Sequence, residues 1–455
     1  LKLQYSKYWL NSGLYTFFQR FSLTLFGLIT FMILVRHLSK EEVGTWALFL
    51  IITTVFETTK SGLLKNAHIR FITITDDHNE KNEIATTSLL INALISAVFI
   101  MLLIFLAPYF QVWLNADANL VSMMFWFIPG LITMVIFSHF EAIQQSNLDF
   151  QGVFAGHFIR QLGFLLMILF DLVRNSPLTL DKLAMYQSIS ITIGAVVIYY
   201  YSRKYITLRF KPSIASTKRI VGYGKYVFSS TALSNIAANV DQIMTSAFLS
   251  SAAVSYYNTA SRINLLIDIP SYAAAEILFP KTSMAANAAD NSKVKYYYEK
   301  MVAILMTFTV PAALVILIFP KLAIFCIAGP TYYDAAPILQ IYIFTGILRP
   351  MQNQAANTLN AIGKPALCLK MNAIMVCMNL GINYICLYYL GFYGAAIGSL
   401  ITISIGMTCW YFVMKREINL SIKNVILYIK ETYQTIFSVL SEVKLSSLRN
   451  FNKKN

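Results

Sequence analysis

The chain is a succession of apolar stretches, each about twenty residues long, separated by short segments that hold most of its charge. A helix rises about 1.5 Å per residue, so about 20 apolar residues span a ~30 Å hydrocarbon core. Twelve such helices are predicted, at approximately residues 14–35, 44–64, 86–107, 119–140, 152–172, 183–202, 225–247, 254–276, 300–319, 336–358, 366–388 and 392–414. β-barrel strands would be shorter and would alternate in polarity, which these stretches do not.

The pattern repeats. Ile189-Ser190-Ile191-Thr192-Ile193-Gly194 returns in kind as Ile401-Thr402-Ile403-Ser404-Ile405-Gly406. At nearly the same offset Leu38-Ser39 with Val43 matches Leu249-Ser250 with Val254, Lys7-Tyr8 with Ser12 matches Lys225-Tyr226 with Ser230, and Gly130-Leu131-Ile132 matches Gly346-Ile347-Leu348. An even number of spans per half leaves both halves in one orientation, a parallel repeat of the kind found in transporters that rock around a central site. The expected fold is therefore an all-α integral membrane protein, with about twelve transmembrane helices in two parallel-repeat six-helix bundles around a central cavity. The expected organisation is a first bundle over 1–204, a basic linker over 205–219, a second bundle over 220–415 and a basic amphipathic tail over 416–455.

Composition agrees: 57% of residues are hydrophobic, 13% are charged, and the mean hydropathy is +0.59. The net charge of +15 would suggest nucleic acid in a soluble chain. Here the outer loops hold only Arg36, Lys40, Arg174, Lys182 and Lys321, and nearly all other Lys and Arg fall on the opposite side. The positive-inside rule then places both termini in the cytoplasm and accounts for the charge without a nucleic-acid partner. The first span is full length with no small-residue cleavage pattern after it, and is expected to be a permanent helix in a bacterial inner membrane. The five cysteines show neither a disulfide framework nor zinc-ligand spacing.

In the tail, Val425, Ile426, Ile429, Tyr433, Ile436 and Leu440 recur at helical spacing opposite Lys423, Lys430, Glu431 and Gln434, which predicts a helix on the inner leaflet; Glu442 and the other charges argue against a thirteenth span. Pro129-Gly130, Pro270, Pro311 and Pro350 fall within spans, where a missing hydrogen bond permits bending. Gly152 with Gly156 and Gly394 with Gly398 have the spacing that lets helices approach closely.

Four segments, in order, carry a resemblance. They are Arg36-His37-Leu38-Ser39-Lys40-Glu41-Glu42-Val43-Gly44, Asn239-Val240-Asp241-Gln242-Ile243, Val254 to Arg262 with Tyr257-Asn258 and Ala260-Ser261, and Asn357 to Pro365 with Asn360-Ala361-Ile362-Gly363-Lys364-Pro365. Together, across roughly residues 5 to 415, the chain resembles bacterial polysaccharide flippases, the Wzx-like branch of the superfamily that also holds drug exporters and the lipid II flippase. The resemblance implies a protein that moves a polyprenyl-diphosphate-linked oligosaccharide, such as an O-antigen or capsule repeat unit, from the cytoplasmic to the outer leaflet.

The residues themselves point to charges inside spans. Each costs at least ~2.5 to 3.5 kcal/mol near the bilayer centre, so each needs a partner or a wet cavity. Arg20, Glu57, Lys60 and Arg160 are expected in the inner half, and Asp268 and Arg349 nearer the middle. A diphosphate leaving water needs compensating cations, and the planar guanidinium binds phosphate in bidentate fashion. Arg20, Lys60, Arg160 and Arg349 are the candidate substrate-binding residues. The structural alternatives are pairing of Glu57 with Lys60 or Arg20, and a Lys60 that reaches to the interface. Asp241, Asp268 and Glu57 are candidates for ion coupling, with a salt bridge to Arg262 the simpler account of Asp241. His139 with Glu141 reads as an interfacial hydrogen bond, and His157 as a packed polar residue.

There is no P-loop, and no cofactor or metal site is expected. Transport would then draw on a proton or sodium gradient or on consumption of the cargo, with polymerase or glycosyltransferase partners nearby, and a monomer is the expectation. The competing readings are an ion-coupled multidrug exporter, which would want an acidic, aromatic cavity, and a membrane-embedded polymerase or ligase, which would want a larger outer loop than any here.

Overall fold

The computed structural model describes residues 2–75, 77–205, 211–288 and 290–451; linker residue Arg209 lies outside them. Among the described residues there are helices and no strands. In chain order the helices are α1 (Lys2–His37), α2 (Lys40–Ile74), α3 (His78–Trp113), α4 (Asn119–Ser146), α5 (Gln151–Val173), α6 (Leu180–Ser202), α7 (Ile214–Phe248), α8 (Ser251–Asn287), α9 (Asn291–Ile318), α10 (Pro320–Ala328), α11 (Ala336–Ala361), α12 (Pro365–Leu390), α13 (Gly394–Ile418) and α14 (Ile422–Phe451). The twelve predicted spans coincide with α1–α9 and α11–α13. Eight stretches among the described residues are long and apolar enough to cross a membrane, the last, Pro365–Ile418, comprising both α12 and α13. Helices α7, α8 and α11 are absent from that set; polar residues recur along α7 and α11, among them Ser234, Asn235 and Asn239 in α7 and Gln352, Asn353 and Gln354 in α11.

The chain forms two compact units, residues 1–255 and 256–455. In the first, α4 packs on α6, α5 on α6, α1 on α5, α3 on α4, and α7 lies along α2. In the second, α11 packs against α9 and α13, α12 against α13, and α14 against α9. Helix α3 shows lipid acting as solvent: Leu94, Val98, Met101 and Phe105 are exposed. In water so large an apolar face would demand a partner.

The repeated Leu-Ser motif is a helix start. Ser39 caps α2, its hydroxyl accepting from the Glu42 N–H while the Glu42 carboxylate accepts from the Ser39 N–H, a capping box. In the second copy the Ser250 hydroxyl accepts from the Ala253 N–H at 3.3 Å. Both glycine pairs seal the fifth and sixth helices of a half. Gly156 of α5 faces Gly194 and Ile198 of α6, and Gly394 and Gly398 of α13 face Cys386, Leu387 and Asn383 of α12. The Gly194 and Gly406 positions also correspond. Gly194 meets Phe137 of α4 and Arg160 of α5, while Gly406 meets Gln352 of α11 and Met375 of α12.

Two features go beyond the sequence expectation. Helix α9 stops at Phe319, and Pro320, which has no N–H to donate, opens the nine-residue α10, too short to register as a span. Part of the apolar side of α14 packs on α9: Val425 is buried there and Ile429 partly so, while Ile426 stays exposed; Glu299 accepts from the Ser421 N–H at 2.8 Å and from Asn424 at 2.9 Å, and Tyr433 donates to the Thr307 carbonyl at 3.0 Å. The side chains of Ile436, Leu440 and Glu442 lie outside the described set.

Gly44 lies one turn beyond the α2 capping box, and any Cβ there meets the backbone of Ser251. Backbone cannot rotate away as a side chain can, so Gly44→Val should cost at least ~2 kcal/mol, read as a lower unfolding temperature of the detergent-solubilised protein. At the α4–α5 turn, Asp149 accepts from Lys204 at 2.8 Å, Tyr205 at 3.0 Å and the Gln151 N–H at 3.1 Å. Burial pushes the Asp149 carboxyl up, but the bonds from Lys204, Tyr205 and Gln151 prevail and hold it below the ordinary carboxylate value. A depressed pKa stabilises the fold above the unfolded value, near 3.9, and that contribution disappears as pH falls through the folded one. Asp149→Asn should therefore lower the unfolding temperature at pH 7, with the difference from wild type shrinking toward pH 3.

Candidate functional site

Charged residues converge inside the first unit, on α2, α4 and α5. Glu57 and Lys60 stand one helical turn apart on α2, and the Lys60 ammonium donates to Glu57 at 2.9 Å and to Ser96 of α3 at 3.1 Å. Its side chain is only 2% exposed, so Lys60 does not reach to an interface. One turn further along α2, Lys65 crosses to α4 and donates to Glu141 Oε1 at 2.9 Å. The same oxygen receives Nε2 of His157, from α5, at 3.2 Å and Gln145 at 3.3 Å. An ionised carboxylate only accepts, so His157 carries a proton on Nε2. Glu141 thus ties three helices together, where the sequence suggested only an interfacial contact with His139. The His139 ring instead stands edge-on to His68, centroids 5.5 Å apart.

Arg160 follows His157 by one turn. Its guanidinium lies 5.4 Å from the centre of the Phe137 ring and its Nη1 is 3.8 Å from Met134 Sδ. The bare Gly194 backbone lets Arg160 sit this close, since an added Cβ would stand 3.0 Å from Arg160 Cβ. Both Glu57 and Glu141 are within electrostatic reach of Arg160. The cluster counts three cations, Lys60, Lys65 and Arg160, against two carboxylates, a surplus of one positive charge with the histidines neutral. Beside it is a cavity of about 20 Å³ lined by Lys60, Lys65, Asn92 and His139, space for one water. Arg20 is exposed on α1, the helix that packs along α5.

In the second unit, Arg349 of α11 donates to Asp268 of α8 at 2.9 Å, with Asp268 1% exposed and Arg349 about one-third exposed. Around this pair runs a polar seam: Asn264 donates to Thr345 at 3.4 Å and Gln354 to the Ser271 carbonyl at 3.1 Å. The offset that carries Ser39 onto Ser250 also carries Glu57 onto Asp268, so each half places a carboxylate at the same point of its second span. The two sequence candidates Asp268 and Arg349 are therefore each other's partners. Asp241 lies on α7 in the first unit and Arg262 on α8 in the second.

Sequence reasoning missed Lys65 and undervalued Glu141 and His157. Lys65 falls just past the end of the predicted second span, and His157 has no sequence signal beyond its place one turn before Arg160.

Residues 10–286 match the family described as "Polysaccharide biosynthesis protein". The chain belongs to that family. Among curated relatives, the probable low-salt glycan biosynthesis flippase Agl15 of Haloferax volcanii is 24% identical over 48% of the chain and 46% of its own length. Membrane protein MJ1068 of Methanocaldococcus jannaschii is 27% identical over 46% of the chain and 43% of its own length, so the chain spans less than half of these two relatives. A membrane protein from a Klebsiella pneumoniae cps region is 20% identical over 87% of the chain and 80% of its own length. Among solved structures, the lipid II flippase MurJ in an inward closed conformation superposes with a TM-score of 0.76 at 15% identity, covering 94% of this chain and 92% of that one. An inward-facing multidrug resistance MATE transporter of the MOP superfamily gives 0.74 at 16% identity over 86% and 94%. At these identities the structures establish the shared fold, and the resemblance read from the four motifs stands. The chain is a multi-pass membrane protein with the fold of these structures.

Removing one member of a buried ion pair strands the other, typically at ~3 to 5 kcal/mol. Glu57→Gln should lower the unfolding temperature and membrane yield of the protein, and the joint change Glu57→Leu with Lys60→Met should restore most of the loss. A double variant as unstable as the two single losses combined would show that the residues do not depend on each other.

Proposed function

We propose that the protein is a flippase that carries a polyprenyl-diphosphate-linked oligosaccharide from the cytoplasmic to the outer leaflet by alternating access of its two bundles. The observation that carries this reading is the buried surplus of positive charge on α2, α4 and α5. A net cation inside a membrane bundle is costly unless an anion compensates it during the working cycle. A diphosphate is such an anion, and Arg160, presenting a guanidinium rather than an ammonium, suits its oxygens. Arg20 extends the path along α1, Lys60 supports it from α2, and Arg349 offers a second contact in the other half.

Family membership supports a glycan as the cargo, as does the relative Agl15, named as a probable glycan biosynthesis flippase. The same positive field disfavours cationic drugs, which sets this chain apart from the multidrug exporters that share its fold. Glu57 and Asp268, at equivalent points of the two halves, are the carboxylates best placed to couple an ion gradient to movement. The orientation is that of the positive-inside reading, termini in the cytoplasm.

A strain lacking the gene should accumulate complete lipid-linked repeat units on the cytoplasmic side and lose surface polymer. Arg160→Ala, expressed at the wild-type level, should restore no more than about a tenth of export, and Arg160→Lys only part of it. Normal lipid-linked sugars and intact polymer in the deletion strain would overturn the reading.

A further inference from the structure

The second unit holds a cavity that the proposed path does not use. It has a volume of about 710 Å³ and lies where α9 breaks into α10, between that break, the start of α11 and the α12–α13 turn. That size is within the ~300 to 1,000 Å³ of small-ligand sites and accommodates several sugar rings.

The lining alternates aromatic faces with hydrogen-bonding groups: Phe319, Tyr333 and Tyr393 with Lys321, Asp334 and Gln340. These side chains are held in place. Gln340 donates to the Leu317 carbonyl at 3.2 Å, near the broken end of α9. Tyr256 donates to Asp334 at 3.4 Å, and the Lys321 ammonium stands 5.9 Å from the centre of the Tyr333 ring. Phe392 stacks edge-on to Tyr393, centroids 5.3 Å apart, which fixes one wall.

We infer that this cavity is a carbohydrate-binding site, a docking place for the oligosaccharide part of the cargo at the end of the second bundle where α9 breaks into α10. The inference rests on the flippase reading for the identity of the sugar. A pyranose has flat C–H faces and a rim of hydroxyls. The C–H faces, slightly positive, suit the negative faces of Tyr and Phe rings. The rim needs acceptors as well as donors, which Asp334 and Lys321 supply with no net charge between them. A phosphate headgroup is a poorer match, because Asp334 opposes it with like charge and only Lys321 attracts it. An acyl chain would offer no polar group to the Lys321 and Asp334 charges.

The test uses full-length protein in lipid nanodiscs, with oligosaccharide repeat units released from the host strain's surface polymer by partial acid hydrolysis as the probe. Saturation-transfer NMR should show contact with wild type. The joint variant Tyr333→Ala, Asp334→Ala and Tyr393→Ala should weaken binding at least tenfold, and the milder Asp334→Asn about threefold, with helix content by circular dichroism unchanged. Absence of transfer to wild type, as expected for a cavity filled by bilayer lipid, overturns the inference, and so does equal binding by wild type and the joint variant. The flippase reading fails on a separate measurement, the lipid-linked sugars of the deletion strain.

Discussion

Charge cannot be left alone in a bilayer, and the Lys60–Glu57 contact is where the first bundle meets that constraint. The pair lies within a single turn of α2, so it is present as soon as the helix forms. It lets a lysine that is almost wholly buried remain in the span, and Ser96 of α3 satisfies a further ammonium proton. The second tie works across helices: Glu141 of α4 holds Lys65 of α2 and His157 of α5. With these carboxylates engaged, Arg160 is left as the member of the cluster whose guanidinium rests on an aromatic ring and a thioether rather than on a direct carboxylate contact. That imbalance is the chemical character of the site.

The two halves share a scaffold and differ in charge. Their common elements are the serine at the start of the second span and the glycine where the sixth span meets the fourth and fifth. The serine hydroxyl caps a helix in both copies, and at both glycines an added Cβ would press on the neighbouring helices, which is why the motifs are recognisable twice. Beside Gly194 stands Arg160; beside Gly406 stands Met375. The acid on the second span is kept in both, as Glu57 and Asp268, but its cation comes from the same helix in the first half and from α11 in the second. Duplication therefore conserved geometry while the charges diverged, giving the first bundle its positive surplus.

The spans were legible because a bilayer imposes a length and an apolar composition on any helix that crosses it. The Glu57–Lys60 pair was also legible, since residues three apart on a helix share a face. The exit of Lys65 toward Glu141, and of His157 toward the same oxygen, was not. Those residues are separated by 76 and 16 positions, and no local rule sets which faces of α2, α4 and α5 meet. Helix α10 was missed because nine residues after a proline carry no span-length signal.

Sequence by itself determined the all-helical membrane class, the positions of the twelve spans, the internal repeat and the set of charges that needed explanation, because each depends on local composition or helical period. Tertiary structure alone decided which charge compensates which, that α14 packs along α9 through Val425, and that a cavity opens where α9 breaks. Those outcomes depend on interhelical distances of a few ångströms, and such distances are set by how small and large side chains interlock across helices far apart in the chain.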